Sequence, residues 1–343
     1  MNITMTESKR SIVFYILLIT LLFIVSSCKN SGNDNRGTKK KEGEPYGIEI
    51  IGDNTFEQGF ALTPLDPRTV QQGGGFEKTY LDTLAFNREA TSPVWHIAQW
   101  YSKYNLAHAE LKTETDGSLS YANEGNSKKV VLCSDNSLLL EVNASKEYDK
   151  ARTKGEQWPH LLIEQSFHEN SPTVGNKKSI QFSFELKLEK EENQMEEETF
   201  DPSLHTAQSP FYFDIKNINE NSPDYNQKIW FGIASYDYRY TETSTREVVS
   251  WDIGTNAYIY QIPERLFWGN ISFQDKKWHK GETDLKPHIK RALTAMQEKS
   301  VFMHTTLDDL AITGMNFGWE VPGTFDVAVK VRNISLKACD YED

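Results

Sequence analysis

Ile180-Gln181-Phe182-Ser183-Phe184-Glu185-Leu186-Lys187-Leu188 alternates apolar and polar residues without a break. A period of two puts the apolar side chains on one face and the polar ones on the other. That is the pattern of a half-buried strand in an antiparallel sheet. Phe211 to Lys216 repeats it, and so does the run with Val327, Val329 and Val331. After Asn333 the apolar residues Ile334 and Leu336 fall on the other parity. One inserted residue, a bulge, produces such a slip, and so does a change of sheet. Ser137 to Val142 and Trp230 to Tyr240 add strands. In the second, Trp230, Tyr236, Tyr238 and Tyr240 share one parity, and Asp237 and Arg239 the other. Clusters of Gly, Asn, Asp and Pro, at Glu169 to Asn176 and Asn217 to Asn226, separate the runs. Glu189 to Glu198 is strongly acidic and reads as a solvated loop.

One helix is written clearly. Asp284 suits its cap, Pro287 an early turn, and Ile289, Ala292, Leu293 and Met296 recur at helical spacing. Ser92 to Tyr104 reads as a second helix or as a strand. Many short strands with so little helix imply an all-β fold. The expected architecture is a jelly-roll or concanavalin-like antiparallel β-sandwich with one or two peripheral helices.

The N-terminus sets the expected compartment. Lys9 and Arg10 precede an apolar run from Ile12 to Val25, and Val25-Ser26-Ser27-Cys28 follows. The run is shorter than the ~20 apolar residues a membrane span needs. The pattern resembles a lipobox, whose cysteine is acylated. Residues 1–27 are therefore expected to be a lipoprotein signal peptide, Cys28 the lipidation site and 28–45 a flexible tether. That tether has almost no apolar residue to offset its ordering entropy. Residues 46–343 remain for the β-sandwich domain. The expected location is the cell envelope, with acylated Cys28 in the bilayer of a bacterial, outer, membrane.

The chain has 37 Lys and Arg against 49 Asp and Glu, a formal net charge of −12. A surface of that sign disfavours nucleic acid as a partner. Setting Cys28 aside, Cys133 and Cys339 form an even pair. In an oxidising compartment they either make one disulfide or stay as two buried thiols. No C-x-x-C or H-E-x-x-H spacing occurs, so no metal motif is present. No cofactor is implied; a calcium ion would suit such a sandwich, but no Asp-rich loop demands one.

Asn316-Phe317-Gly318-Trp319-Glu320-Val321-Pro322-Gly323-Thr324-Phe325-Asp326-Val327 resembles the last segment of jelly-roll modules in bacterial polysaccharide-processing proteins. Trp158-Pro159-His160-Leu161-Leu162-Ile163-Glu164-Gln165 and Trp95-His96-Ile97-Ala98-Gln99-Trp100 have the same character. With the lipobox, the chain resembles jelly-roll or concanavalin-like lipoproteins of Bacteroidetes-type glycan-utilisation systems. The resemblance covers most of the chain after residue 46. It implies a sandwich fold and a poly- or oligosaccharide partner, and its motifs are diagnostic of no single activity.

The segment Arg152 to Phe167 is densest in functional residue types. Arg152, Glu156, Trp158, His160 and Glu164 suit a saccharide groove, with Trp158 as a stacking platform and planar charged groups reading hydroxyls. His160 and Glu164 share a strand face but stand roughly 13 Å apart at ~3.3 Å per residue, so neither pairs with the other directly. The bland alternative is a polar sheet face with satisfied pairs. Tyr236 and Arg239 are the second set of binding candidates, on the Trp230 to Tyr240 strand. An aromatic stripe of that kind is also commonly core.

Carbohydrate binding without turnover is the first expectation, and a glycan-active enzyme the alternative. A structural or assembly lipoprotein is the third. For catalysis, His160, Glu164, Tyr238 and Arg239 have the types a lyase needs. Glycoside hydrolysis needs two carboxylates ~5.5 Å or ~6.5–9.5 Å apart. Glu156, Glu164, Glu185, Glu247 and Asp237 offer candidates, and no spacing on one strand forces a pair. Arg246-Glu247 resembles the Arg-Glu of sandwich lyases, without the rest of that signature.

Overall fold

A computed structural model describes residues 47–69, 79–87 and 93–341. The residues expected to form a signal peptide and tether, Cys28 among them, lie outside the described residues. The strands are β1 (Gly47–Glu49), β2 (Phe60–Leu62), β3 (Asp82–Leu84), β4 (Trp95–Ala98), β5 (Lys112–Thr113), β6 (Leu119–Ala122), β7 (Lys128–Leu132), β8 (Leu138–Asn143), β9 (His160–Ser166), β10 (Ser179–Asn193), β11 (Gln208–Asn217), β12 (Lys228–Asp237), β13 (Val248–Asp252), β14 (Ala257–Ile262), β15 (His279–Asp284), β16 (Leu310–Glu320) and β17 (Phe325–Cys339). The α-helices are α1 (Glu264–Trp268) and α2 (Leu285–Gln297).

The strands form two sheets. One has the order β15-β10-β17-β8-β7-β6-β5, with β1 on β17; the other runs β13-β14-β12-β11-β16-β9-β4-β2-β3. Pairing is antiparallel except between β12 and β14 and between β2 and β4. The fold is an all-β, jelly-roll sandwich, as the alternation implied.

Phe182 and Phe184 of β10 meet Phe211 and Phe213 of β11 across the sandwich, with ring centroids 4.6–5.2 Å apart. All four side chains are essentially inaccessible. Burying each contributes roughly 1.5–3 kcal/mol. They are the inward halves of the two alternating runs that decide the fold. The outward halves, Gln181, Ser183 and Glu185 on one sheet and Tyr212, Asp214 and Lys216 on the other, face away from that core.

The parity slip at Asn333 is a bulge. Ser183 pairs with Ser335 but Glu185 with Arg332, so Phe184 faces two residues of β17. Asn333 takes the left-handed conformation at φ +54°. Asn tolerates that region better than most side chains. Helix α2 starts where expected, and the Asp284 carboxylate accepts from the Lys286 N–H at 3.1 Å. Its Ile289, Ala292, Leu293 and Met296 are buried. The helix packs against β10 and β14.

One expectation needs correction, and two open alternatives are decided. Residues Glu189 to Asn193 continue β10 instead of forming a loop. Lysines on and beside the strand offset its charge: Glu189 lies 2.9 Å from Lys187 of β10 and 3.4 Å from Lys330 of β17, and Lys190 within the run lies 3.7 Å from Glu192. Ser92 to Tyr104, read as helix or strand, forms the strand β4 and no helix among its described residues, 93–104. The other alternative concerns the cysteines. Cys133 and Cys339 are free, buried thiols and make no disulfide. Cys133 sits just after β7 and Cys339 ends β17, separated by the intervening β8.

Candidate functional site

The nine-stranded sheet presents its outer face as rows set by strand register. Gln261 of β14 pairs with Gly232 of β12, Gly232 with Tyr212 of β11, and Tyr212 with Asn316 of β16. The row continues through Glu164 of β9 to His96 of β4. A second row, four residues away along the strands, joins Asp237, Gln208, Glu320 and His160. Between them the face is low, because Pro210 and Ala234 pair there. Gly232 is required in the first row. A Cβ there would lie 2.6 Å from the Tyr212 ring and 2.7 Å from Gln261. Its absence lets those side chains close over the backbone, and the Gln261 amide donates to the Tyr212 hydroxyl at 2.7 Å.

At the β12 and β14 end this face becomes a groove of about 660 Å³. Its floor is Gln208, Pro210, Ala234 and Gln261, and its walls are the 237–246 loop and the start of α1. The loop is pinned at Thr243. The Thr243 hydroxyl donates to the Gly269 carbonyl at 2.7 Å, and the Thr243 N–H to the Ile271 carbonyl at 3.1 Å. Asp237 is fully occupied. It takes two bonds from the Arg239 guanidinium, Nε at 2.9 Å and Nη2 at 2.5 Å, and a third from the Thr206 hydroxyl at 2.7 Å. This holds Arg239 flat against the wall, with its guanidinium 5.7 Å from the exposed ring of Tyr240.

Glu264 lies across from this pair and accepts from the Ser244 N–H at 2.8 Å. Burial pushes its carboxyl up to about 7, against the pull of that hydrogen bond, and nearby Asp237 adds to the rise. At neutral pH it is poised between acid and base. Arg265 donates from Nη2 to the Thr243 carbonyl at 3.2 Å and stands 3.6 Å from Glu242. Its Nε is buried and makes no hydrogen bond. The arrangement offers planar donors, one proton-bearing carboxyl and one exposed ring around a strip of small side chains.

Solved glycoside hydrolases have a similar fold. A family 12 xyloglucanase from Bacillus licheniformis is 9% identical, with a TM-score of 0.38, over 69% of this chain and 99% of that one. An endoglucanase from Rhodothermus marinus is 8% identical at a TM-score of 0.36, over 69% and 99%. A family 11 xylanase from Neocallimastix patriciarum is 11% identical at a TM-score of 0.36, over 69% and 99%. No family model matches the chain, and no curated protein matches it. At these scores the likeness carries no weight for chemistry, which rests on this chain's own side chains.

The residues singled out from sequence are dispersed. Tyr236 and Arg239 line the groove. His160 and Glu164 share the outer face of β9 as their parity required, but β16 and β11 separate them from β12. Arg152, Glu156, Trp158 and His160 form a separate cluster. Arg152 Nε donates to the Glu156 carbonyl at 2.7 Å and Nη1 to the Leu204 carbonyl at 3.2 Å. The Glu156 carboxylate accepts from the Thr153 N–H at 2.7 Å, closing its own turn. The Trp158 ring already contacts the Arg152 guanidinium at 4.7 Å and the His160 ring at 5.8 Å. It is half-buried and no open platform. His160 is buried, bonded to the Trp158 carbonyl at 3.0 Å, and burial holds its pKa below the ordinary imidazole value.

The single parity expected from Trp230 to Tyr240 also fails. The register of β11 and β12 shifts between Ser209 and Pro210. Trp230 therefore lies on the outer face, whereas Tyr236 turns inward against Trp319 and donates to Glu191 at 2.5 Å. Tyr238 packs on Phe325 and Phe200 in place of facing a substrate. The hydrolase candidates scatter too. Glu185 binds Arg332 and Asn333 on the other sheet, and Glu247 binds Arg291 and Tyr260. Gln208, Gln261, Glu264 and Arg265 were missed. They come from two strands and the start of a helix, and no local spacing marks them.

Among the described residues, no group of three or more His, Cys, Asp and Glu is placed to hold a metal ion. No helix among them is long and apolar enough to cross a membrane.

Proposed function

We propose that this chain binds poly- or oligosaccharide in the groove at the β12 and β14 end of the outer face. The observation that carries this reading is convergence. Two amide side chains, three guanidinium groups and the exposed Tyr240 ring line one groove above a floor of small side chains. Sugar hydroxyls need planar donors and acceptors, and sugar C–H faces need an aromatic surface. An array of glycans titrated with residues 46–343, scored for binding and for released product, tests it. Saturable binding that Tyr240→Ala weakens is the expected result. Absence of binding to every glycan would overturn the reading.

Turnover is a second reading, and Glu264 favours it. A carboxyl that keeps its proton near neutral pH is what a general acid needs. In this reading Glu264 protonates the glycosidic oxygen, and water attacks the anomeric carbon with Glu242 as its base. Glu264→Gln should then abolish new reducing ends while leaving binding intact. Product release that persists in Glu264→Gln would reject Glu264 as the acid, and no product from the wild-type chain would leave a binding protein without turnover.

The proposal includes a cell-envelope lipoprotein anchored through acylated Cys28. The apolar run from Ile12 to Val25 and the small residues before Cys28 support it. Cys28→Ala should move the protein from the membrane fraction to the soluble one. Retention in the membrane would reject lipid anchoring at this residue.

A further inference from the structure

The charges around the groove do not cancel in space, although they do in number. Arg239, Arg246 and Arg265 line it together with Asp237, Glu242 and Glu264. Asp237 is consumed by Arg239 and Thr206. Glu242 is a loose partner, 64% exposed and 3.6 Å from Arg265. Glu264 is turned to the Ser244 N–H. Arg246 is exposed, and its guanidinium has no carboxylate partner among the described residues. Its sequence neighbour Glu247 is directed away, to Arg291 at 2.9 Å and to the Tyr260 hydroxyl at 2.6 Å. The Arg265 Nε is buried away from the groove, but its Nη1 makes no hydrogen bond and the side chain is 39% exposed. The Arg246 guanidinium and the Arg265 Nη1 thus keep free donors on the wall of one groove, in a chain whose net charge is −12.

We infer that the saccharide taken by this groove carries a carboxylate, as a uronic acid does, and that Arg246 and Arg265 receive it. A guanidinium fork matches a carboxylate with two parallel hydrogen bonds. The surrounding negative field would repel such a ligand, so the free forks need a reason to be there. A neutral sugar would leave the Arg265 donor only partly used. The inference rests on the saccharide reading above and narrows it to an acidic ligand.

Four probes test it by titration against the folded protein: an oligouronide, its methyl ester, a sulfated oligosaccharide and a neutral oligosaccharide. The expected result is oligouronide binding at least tenfold tighter than its ester, a difference of about 1.4 kcal/mol. Arg246→Ala, at an exposed position, should shrink that ratio severalfold without loss of folding. Arg265→Lys should shrink it too while keeping the charge. Equal binding of uronide and ester would overturn the carboxylate assignment and leave the saccharide reading standing. Preference for the sulfated probe over the uronide would overturn it as well, in favour of a tetrahedral oxyanion. Binding of none of the four would overturn both.

Discussion

The Trp158 cluster and the Tyr240 groove use the same residue types, yet one is closed and the other open. Each has an aromatic ring, an arginine and a carboxyl-bearing residue. In the first, Arg152 spends its donors on two backbone carbonyls and its flat face on Trp158. His160 fills in beside the same ring. In the second, Arg239 is spent on Asp237, but Tyr240 is 55% exposed, and the Arg246 guanidinium and the Arg265 Nη1 keep donors free. Residue type is thus a poor guide to a site, and unspent hydrogen-bonding capacity a better one.

The comparison breaks most visibly in stability. Trp158→Ala removes a ring that Arg152 and His160 cover, and should cost about 2–4 kcal/mol in urea unfolding. A change below 0.5 kcal/mol would mean that the cluster is not a structural clamp.

The two regions should also respond to pH with opposite sign. His160 has a folded pKa below its unfolded value near 6.5. Its contribution is present above that value and is lost as pH falls through it. Glu264 has a folded value of about 7 against 4.5 unfolded. Its protonated form is favoured in the fold, so stability is greatest below 4.5 and declines as pH rises toward 7. Thermal unfolding from pH 4 to 8 should show Glu264→Gln flattening the slope between pH 4.5 and 7. Retention of the wild-type slope in that variant would reject a buried, shifted Glu264.

The smallest expected effect on stability is at Tyr240. Its exposed ring touches little, and Tyr240→Ala should shift unfolding by no more than about 0.5 kcal/mol. A larger loss would show that the ring is part of the wall and not a free platform.

The sandwich was legible because its signal is local. Period-two alternation in Ile180 to Leu188 and in Phe211 to Lys216 determines which side chains form the core, and the slip at Asn333 was written in the same alternation. The bulge between β11 and β12 was not, because Ser235 and Tyr236 carry no sign of which face they take. That one shift turned Tyr236 into the interior. Glu189 to Asn193 was misread because part of what holds it extended, the pairing with β17 and its Lys330, lies on another strand. The groove was hardest to read. Gln208, Gln261, Glu264 and Arg265 meet only after β11, β14 and α1 are placed side by side. Arg239 was noticed for its charge, and nothing in the sequence told that Asp237, two residues earlier, already held it.

One titration tests the central claim most directly. A saccharide bound by the wild-type chain is titrated against Tyr240→Ala and Trp158→Phe, both confirmed folded. Stacking on an exposed ring is worth ~0.5–1.5 kcal/mol. Tyr240→Ala should therefore weaken binding about two- to tenfold, and Trp158→Phe should leave it unchanged. Unchanged affinity in Tyr240→Ala together with a loss in Trp158→Phe would place the saccharide at the closed cluster and contradict the account.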